Sequence, residues 1–512
     1  MDEVTIIGGG IAGLAAALRL AERGRRVTVI EADAELGGKL GARFDASTGE
    51  HHEHAYHMYL NWYLNFWALV DQLGVRDRFE PRHHIQFLKA GEFPHTHHIT
   101  DVGAIETVWA NVNGGVVPPA DMFIYAYSLL DLMTRRYDRD AFLDRVSVNG
   151  FMSSRPYATD AAAEQHSRTL AKAFASYSYR TSAASYRRFI ALGAAEPSPM
   201  MWVMTGNVYD VLIKPLEAAL VVRGVRIRKN TRVDRLLLNN RGHISALAVS
   251  QMNPGHSLNG AGRRALGSGT LDVHGPVICT IPPDRLACLV DDPVYQSAPE
   301  LHTVARLNSE PMTSISLRFK RRLPSLPSDH VVLMDSRYEL TFIDNSQLWP
   351  DLDHTFLNVV ASDADHFFNL SDDAALQSVL AELQRFIPFQ LDDVDFARTR
   401  IRFNEDAPLF LNEVGSWKHR PATRTSIDNL FLAGDYCRNE IDVVTIEGAM
   451  VSAYHAARAV LEQGSPAAPL PIPLPPEYPM ARAHLLKTLL TPQVYWAKSW
   501  SWLTPRDRSR IR

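Results

Sequence analysis

Cysteine is scarce in this sequence: Cys279, Cys288 and Cys437 are the only three in 512 residues. So few, so scattered, exclude a disulfide framework and a CxxC site, and they point to a reducing compartment such as the cytoplasm. No apolar run approaches the roughly 20 residues needed to span a bilayer. The N-terminus lacks the basic region of a signal peptide. Charge of one sign is also missing; the net charge of −4 predicts no general affinity for nucleic acid or anionic membranes. There is no internal repeat and no second GxGxxG, so a separate pyridine-nucleotide site is not expected. The remaining composition, 46% hydrophobic and 21% charged, is that of an ordinary globular protein. A chain of this length calls for two or three domains.

What the chain does have stands at its beginning. Val4-Thr5-Ile6-Ile7 runs into Gly8-x-Gly10-x-x-Gly13, and an Ala- and Leu-rich helix opening with Ile11 and Ala12 follows to about Arg23. A second apolar run, Arg26 to Ile30, ends on Glu31, with Ala32 after it. This order of strand, glycines, helix, strand and acid is the β-α-β dinucleotide unit. Gly8 permits the turn, Gly10 lets backbone approach a pyrophosphate, and Gly13 lets helix and strand pack closely. The helix N-terminus offers free N–H groups to the phosphates, and Glu31 is placed to bond ribose hydroxyls. An isolated glycine triplet would be read as an ordinary loop; the flanking elements make it a nucleotide site.

Gly37-Gly38-Lys39, soon after the ribose acid, resembles the FAD signature of the amine oxidase and phytoene desaturase superfamily. There the glycine pair meets the pyrophosphate and leads the chain toward the flavin. A matching closing segment lies near the C-terminus: Leu430-Phe431-Leu432-Ala433-Gly434-Asp435-Tyr436, then Ile446-Glu447-Gly448-Ala449 opening a helix. A strand ending at Gly434-Asp435 brings a carboxylate to the ribityl chain. The later helix points its positive end at the flavin edge where charge accumulates on reduction. Within the superfamily the chain looks like the plant- and cyanobacterial-type phytoene and ζ-carotene desaturases and the hydroxysqualene dehydroxylases. Glu53, His57, Tyr63 and Asn65 fall on matching positions, although Ala55 replaces the usual glycine. The resemblance implies FAD as cofactor, with the backbone at Val233 beside the adenine.

The fold class that follows is α/β: a Rossmann-type FAD-binding domain of the amine oxidase and phytoene desaturase fold with an inserted mixed α+β substrate domain. The FAD domain is expected to be discontinuous, over 1–90, 205–290 and 420–464, with the substrate domain over 91–204 and 291–419. Apolar residues 199–204 read as the end of a helical region, and 253–269 as a glycine-rich loop insertion. Seven prolines between residues 466 and 479 make 465–479 an extended linker. The tail, 480–512, holds seven Lys or Arg and one acid. Its leucines read as one helix, Thr491-Pro492 as the start of another bearing Trp496 and Trp500. Such a tail fits peripheral contact with a membrane, or else packing on the protein or within a homodimer.

For catalysis His57 is the first candidate, beside the alternative of a structural histidine bonded to backbone. Glu447 is the second, its place at a helix start equally fitting a cap, and Tyr436 is a candidate cavity wall. Nine of the twenty histidines crowd into residues 51–98. His54-x-x-His57 is nonetheless in a strand-loop and not on a helix face, and the family resembled binds no metal, so no metal is expected. A covalent flavin through Cys437 is not expected either. The predicted activity is transfer of hydrogen, as hydride to flavin N5, from a hydrophobic isoprenoid or polyene substrate. Oxygen, a quinone or a redox protein would be the electron acceptor. The alternatives are oxidation of an amine by oxygen, a redox-neutral isomerisation, and a flavin-free prenyl-protein-binding role like that of the Rab GDP-dissociation inhibitors.

Overall fold

β-Branched residues dominate the runs on both sides of the glycine motif, and both runs form buried strands. In the computed structural model, which describes residues 3–101, 108–135, 142–196, 198–253, 263–463 and 469–503, these are β1 (Glu3–Ile7) and β2 (Arg26–Ile30). They pair in parallel from Glu3↔Arg26 to Ile7↔Ile30. Arg226–Arg228 flanks β2, while Val277–Cys279 and then Leu430–Leu432 extend the sheet beyond β1, giving five parallel strands. Helix α1 (Ile11–Glu22) crosses from β1 to β2, and its alanines let it lie close against the helix Ile446–Glu462. The first, middle and last stretches of the sequence therefore meet in one layer. Parallel strands covered on both faces read as continuous apolar runs, as these do.

A second sheet carries seven strands in the order Arg400–Arg402, Thr313–Arg318, Phe356–Ala361, Leu340–Asp344, His330–Leu333, His84–Leu88, His97–Thr100. Its pairings are antiparallel except that of His330–Leu333 with His84–Leu88. The helix Asp372–Leu383 packs in the core on this sheet. A helical cap, including Pro119–Met133, Asp160–Phe174 and Ala183–Ala195, forms a separate core.

Several expectations are corrected. The strand His84–Leu88 belongs to the second sheet, so the chain leaves the nucleotide-binding unit before residue 90. Residues past 290 stay with the parallel sheet, where Val294, Leu301 and Val304 share its core. Met201–Met204 is a strand between Tyr59–Leu60 and Phe79–Arg82, not helix; a short apolar run carries no periodicity that separates the two. Within the expected loop 253–269, Ala265–Asp272 is the third strand of the antiparallel sheet with Thr231–Leu238 and Ile244–Met252, and 254–262 lies outside the described residues.

The proline-rich segment is not a free spacer. Leu470 is buried, its carbonyl accepts bonds from Arg458 at 3.0 and 2.6 Å, and the Pro473 carbonyl accepts from Asn65 at 2.8 Å. The described part of the tail is one helix, Met480–Leu503, with Pro492 inside it. It lies along Pro119–Met133, where Lys487 pairs with Asp131 at 2.6 Å, the Thr491 and Tyr127 hydroxyls lie 2.9 Å apart, and Ser501 donates to Asp121 at 3.0 Å. These contacts along its length outweigh the backbone bond that the proline removes. Among the described residues no helix is long and apolar enough to cross a membrane.

Candidate active site

The glycines act through what cannot be there. A Cβ on Gly13 would lie 2.0 Å from the Gly8 carbonyl oxygen, so only glycine lets α1 start this close to β1. Gly37 has φ +106 and donates its N–H to the Gly9 carbonyl at 2.8 Å, bringing the second glycine pair against the first. Above them opens a cavity of about 950 Å³. Gly8, Gly10, Ile11, Ala12, Glu31, Ala32, Gly37, Gly38, Lys39, Val233, Gly434, Asp435, His57 and Tyr436 all line it. Residues that the sequence places up to some 400 positions apart are thus in one wall.

The polar end of this cavity fits a dinucleotide. No side chain caps the N-terminus of α1 at Gly10, so its N–H groups remain free for phosphate. The Glu31 carboxylate accepts from Gly9 N at 2.6 Å and Asp33 N at 2.8 Å, and burial, aided by Asp33, pushes its pKa up to about 7. Lys39 and Asp435 form an ion pair at 3.2 Å that joins the two ends of the chain. Asp435 thus faces the cavity already partnered.

Several wall residues carry no motif and were not singled out from sequence. Arg43 bridges Asp33 (3.1 Å) and Asp406 (2.6 Å). Arg263 pairs with Asp33 and donates to the Ala32 carbonyl at 2.7 Å. Only Arg43 had a usable signal, since it follows Gly37-Gly38-Lys39 on the strand Ala42–Asp45 leading away from the glycines.

Apolar and aromatic side chains line the rest: Phe174 and Phe189 from the cap, Val360 and Met312 at the second sheet, Tyr56 and Met58 from the loop before Tyr59–Leu60, and Phe410 from the short strand Leu409–Phe410, with Ser176, Thr181, Thr341, Ser362 and Asn412 among them. His57 stands on this wall. Its Nδ1 is buried and has no partner of hydrogen-bonding geometry among the described residues, but the ring lies against the Ala55 and Lys39 backbone as a structural histidine would. Burial outweighs these contacts and lowers its pKa to about 4, so the ring is neutral at pH 7. Tyr436 is buried to 1% exposure with an unpartnered hydroxyl, and burial pushes its pKa up. Among the described residues no cluster of His, Cys, Asp and Glu is placed to hold a metal ion.

Two expected residues lie outside the wall. Gly13 packs behind Gly8. Glu447 is fully buried and points instead at the start of α2 (Leu64–Leu73), accepting from Asn65 N at 2.9 Å, Asn65 Nδ2 at 2.6 Å and Phe66 N at 3.1 Å. A carboxylate at a helix N-terminus satisfies orphan donors and meets the positive end of the helix. The flavin-edge and catalytic roles expected of Glu447 are therefore corrected to a structural one. Its neighbours Thr445, Ile446 and Ala449 carry the cavity side of that helix start. Replacing Glu447 with Gln is expected to cost about 1.5–3 kcal/mol of unfolding free energy without changing the rate of anaerobic flavin reduction in the folded holoenzyme. A slowed reduction at unchanged stability would return Glu447 to the chemistry.

The family model for flavin containing amine oxidoreductases matches residues 11–461. The 15-cis-phytoene desaturase of Synechococcus elongatus is 24% identical over 476 residues, covering 90% of this chain and 95% of that protein. The chloroplastic/chromoplastic 15-cis-phytoene desaturase of Arabidopsis thaliana is 22% identical over 479 residues, covering 90% and 80%. Among solved structures, putrescine oxidase bound to putrescine superposes with TM-score 0.65 at 17% identity, covering 90% of this chain and 99% of the other. Cyclohexylamine oxidase from Brevibacterium oxydans gives 0.62 at 14%, with the same coverage. These low identities show a shared fold, while the model match spans most of the chain. The protein is an FAD-dependent oxidoreductase and belongs to the flavin containing amine oxidoreductase family.

Proposed function

We propose that the protein removes hydrogen from a hydrophobic, isoprenoid or polyene substrate, as its desaturase relatives' names describe for them. One observation carries this reading. The carboxylates in the cavity wall, Glu31, Asp33, Glu35, Asp234, Asp406 and Asp435, stand on the nucleotide-binding segments or pair with their cations, while the end lined by the cap and the second sheet, through Phe174, Ser176, Thr181, Phe189, Met312, Thr341, Val360 and Ser362, holds no carboxylate among the described residues. An ammonium group entering that end would lose its hydration without gaining a counter-charge. A hydrocarbon gains from the same surroundings.

Bound FAD supplies the two-electron acceptor for a hydride leaving the substrate carbon. The apolar wall orients the chain and excludes water. The neutral His57 ring, held against the Ala55 and Lys39 backbone on the cavity wall, is the base that would accept the proton lost from the adjacent carbon. Mixing the holoenzyme anaerobically with long polyprenes is expected to bleach the flavin, and mixing with primary amines to leave it oxidised. The reverse pattern would assign the site to amines.

We further propose that the tail helix docks on a membrane surface from which such a substrate is drawn. Two of its cations turn inward, Lys487 to Asp131 and Lys498 to the Pro156 carbonyl, while Arg482 near its start is exposed. Its outward face carries Leu485, Leu489, Trp496 and Trp500 together with Arg482, and Trp502, at 77% exposure, projects from the end of the helix. A face of leucines and indoles with one arginine at its start matches the interfacial region of a bilayer. The triple variant Trp496→Ser, Trp500→Ser, Trp502→Ser is expected to abolish flotation with neutral phosphatidylcholine vesicles. Unchanged flotation, or a change of oligomeric state in its place, contradicts a membrane role for this face.

A further inference from the structure

Each cation in the cavity wall has a carboxylate partner except one. Lys39 has Asp435, Arg43 has Asp33 and Asp406, Arg232 has Asp234, Arg263 has Asp33, and Arg285 has Asp284. Arg402 is 4% exposed, lines the same cavity, and makes neither an ion pair nor a side-chain hydrogen bond among the described residues, its Nε being buried and unpartnered. Burial and the neighbouring Arg43 lower its pKa to about 10, which leaves it charged at pH 7.

The position of Arg402 is fixed by the sheet. It ends the edge strand Arg400–Arg402, opposite Ser314, two residues beyond Arg400 and so on the same face. Arg400 reaches the FAD-side hairpin and pairs with Asp45 at 2.6 Å. Arg402 is instead next to the cavity, with Arg43, Asp406 and Asp33 as its charged neighbours. That is the end holding Glu31 and the two glycine pairs. A buried cation without a partner is costly, and removing it from water is offset only by an anion that arrives with good geometry.

We propose that Arg402 binds the diphosphate of FAD from the substrate-domain side, closing the cradle opposite the N-terminus of α1. The nucleotide-binding sheet then contributes backbone N–H groups, and the second sheet contributes the planar, doubly donating guanidinium that matches phosphate oxygens. Cofactor binding consequently ties the two sheets together across the cavity. A diphosphate has a second source, a prenyl diphosphate substrate, and the test separates the two.

FAD affinity is read from the rise of flavin fluorescence on diluting the holoenzyme, with and without inorganic pyrophosphate. Arg402→Gln is expected to raise the Kd for FAD on the order of 10- to 100-fold and to blunt competition by pyrophosphate. Arg402→Lys, keeping charge without the fork, is expected to fall between. An Arg402→Gln holoenzyme with wild-type FAD affinity overturns the proposal. So does one with wild-type FAD affinity in which geranylgeranyl diphosphate no longer perturbs the flavin spectrum, since the anion would then be the substrate's. If Arg402→Gln does not accumulate, Arg402→Lys carries the test, and wild-type affinity with wild-type pyrophosphate competition overturns it.

Discussion

The structure depends on a contact between backbones that admits no side chain. Gly8 and Gly13 bring the start of α1 onto the end of β1, and Gly37 donates to Gly9 at 2.8 Å from the second glycine pair. A Cβ on Gly37 would fall 2.7 Å from the Gly41 Cα, so this segment also tolerates no substitution without moving. Everything else is arranged around the space above these glycines. The C-terminal strand and the helix Ile446–Glu462 come back to close its side, and the second sheet comes down over its top.

Buried carboxylates then lock the supporting helices. Glu447 holds the first N–H groups of α2, and Glu53 accepts from Val208 N at 2.8 Å where the chain turns into the helix behind the sheet. Both are remote in sequence from what they hold. Their work is tertiary, and it positions the aromatic α2 and the residues beside the cavity from outside its wall. The cavity that results is uneven in charge: ion pairs and free N–H groups where the nucleotide-binding segments line it, hydrocarbon, aromatic rings and uncharged polar groups where the cap and the second sheet do, with the neutral His57 on its wall.

What was legible in the sequence was what backbone geometry dictates. Gly8, Gly10, Gly37, Gly38 and Gly434 were readable because a cofactor phosphate or a close turn excludes side chains there, whatever the rest of the chain does. Glu447 was legible as important and misread in role, because a helix start facing a flavin and an acid capping another helix look alike in one dimension. Met201–Met204 and Ala265–Asp272 were misassigned because short apolar and glycine-rich runs take their structure from the strands beside them. Pro492 was read as a helix boundary on local grounds, and tertiary contacts along Pro119–Met133 override it. Arg402 was invisible: Thr-Arg-Ile-Arg-Phe has no motif, and its significance is only that every neighbouring cation is paired while it is not.

The account rests on one cofactor lying across both ends of a cavity assembled from distant segments, with an apolar chamber left beyond it. A crystal structure of the flavin-loaded protein tests this most directly. It should show the adenosine ribose at Glu31 and the isoalloxazine ring between the Gly434–Asp435 turn and His57, with Tyr56, Phe174 and Met312 lining empty space ahead of the ring. A ring turned toward the ion-paired end, or one that fills the apolar chamber and leaves no room for substrate, would contradict it.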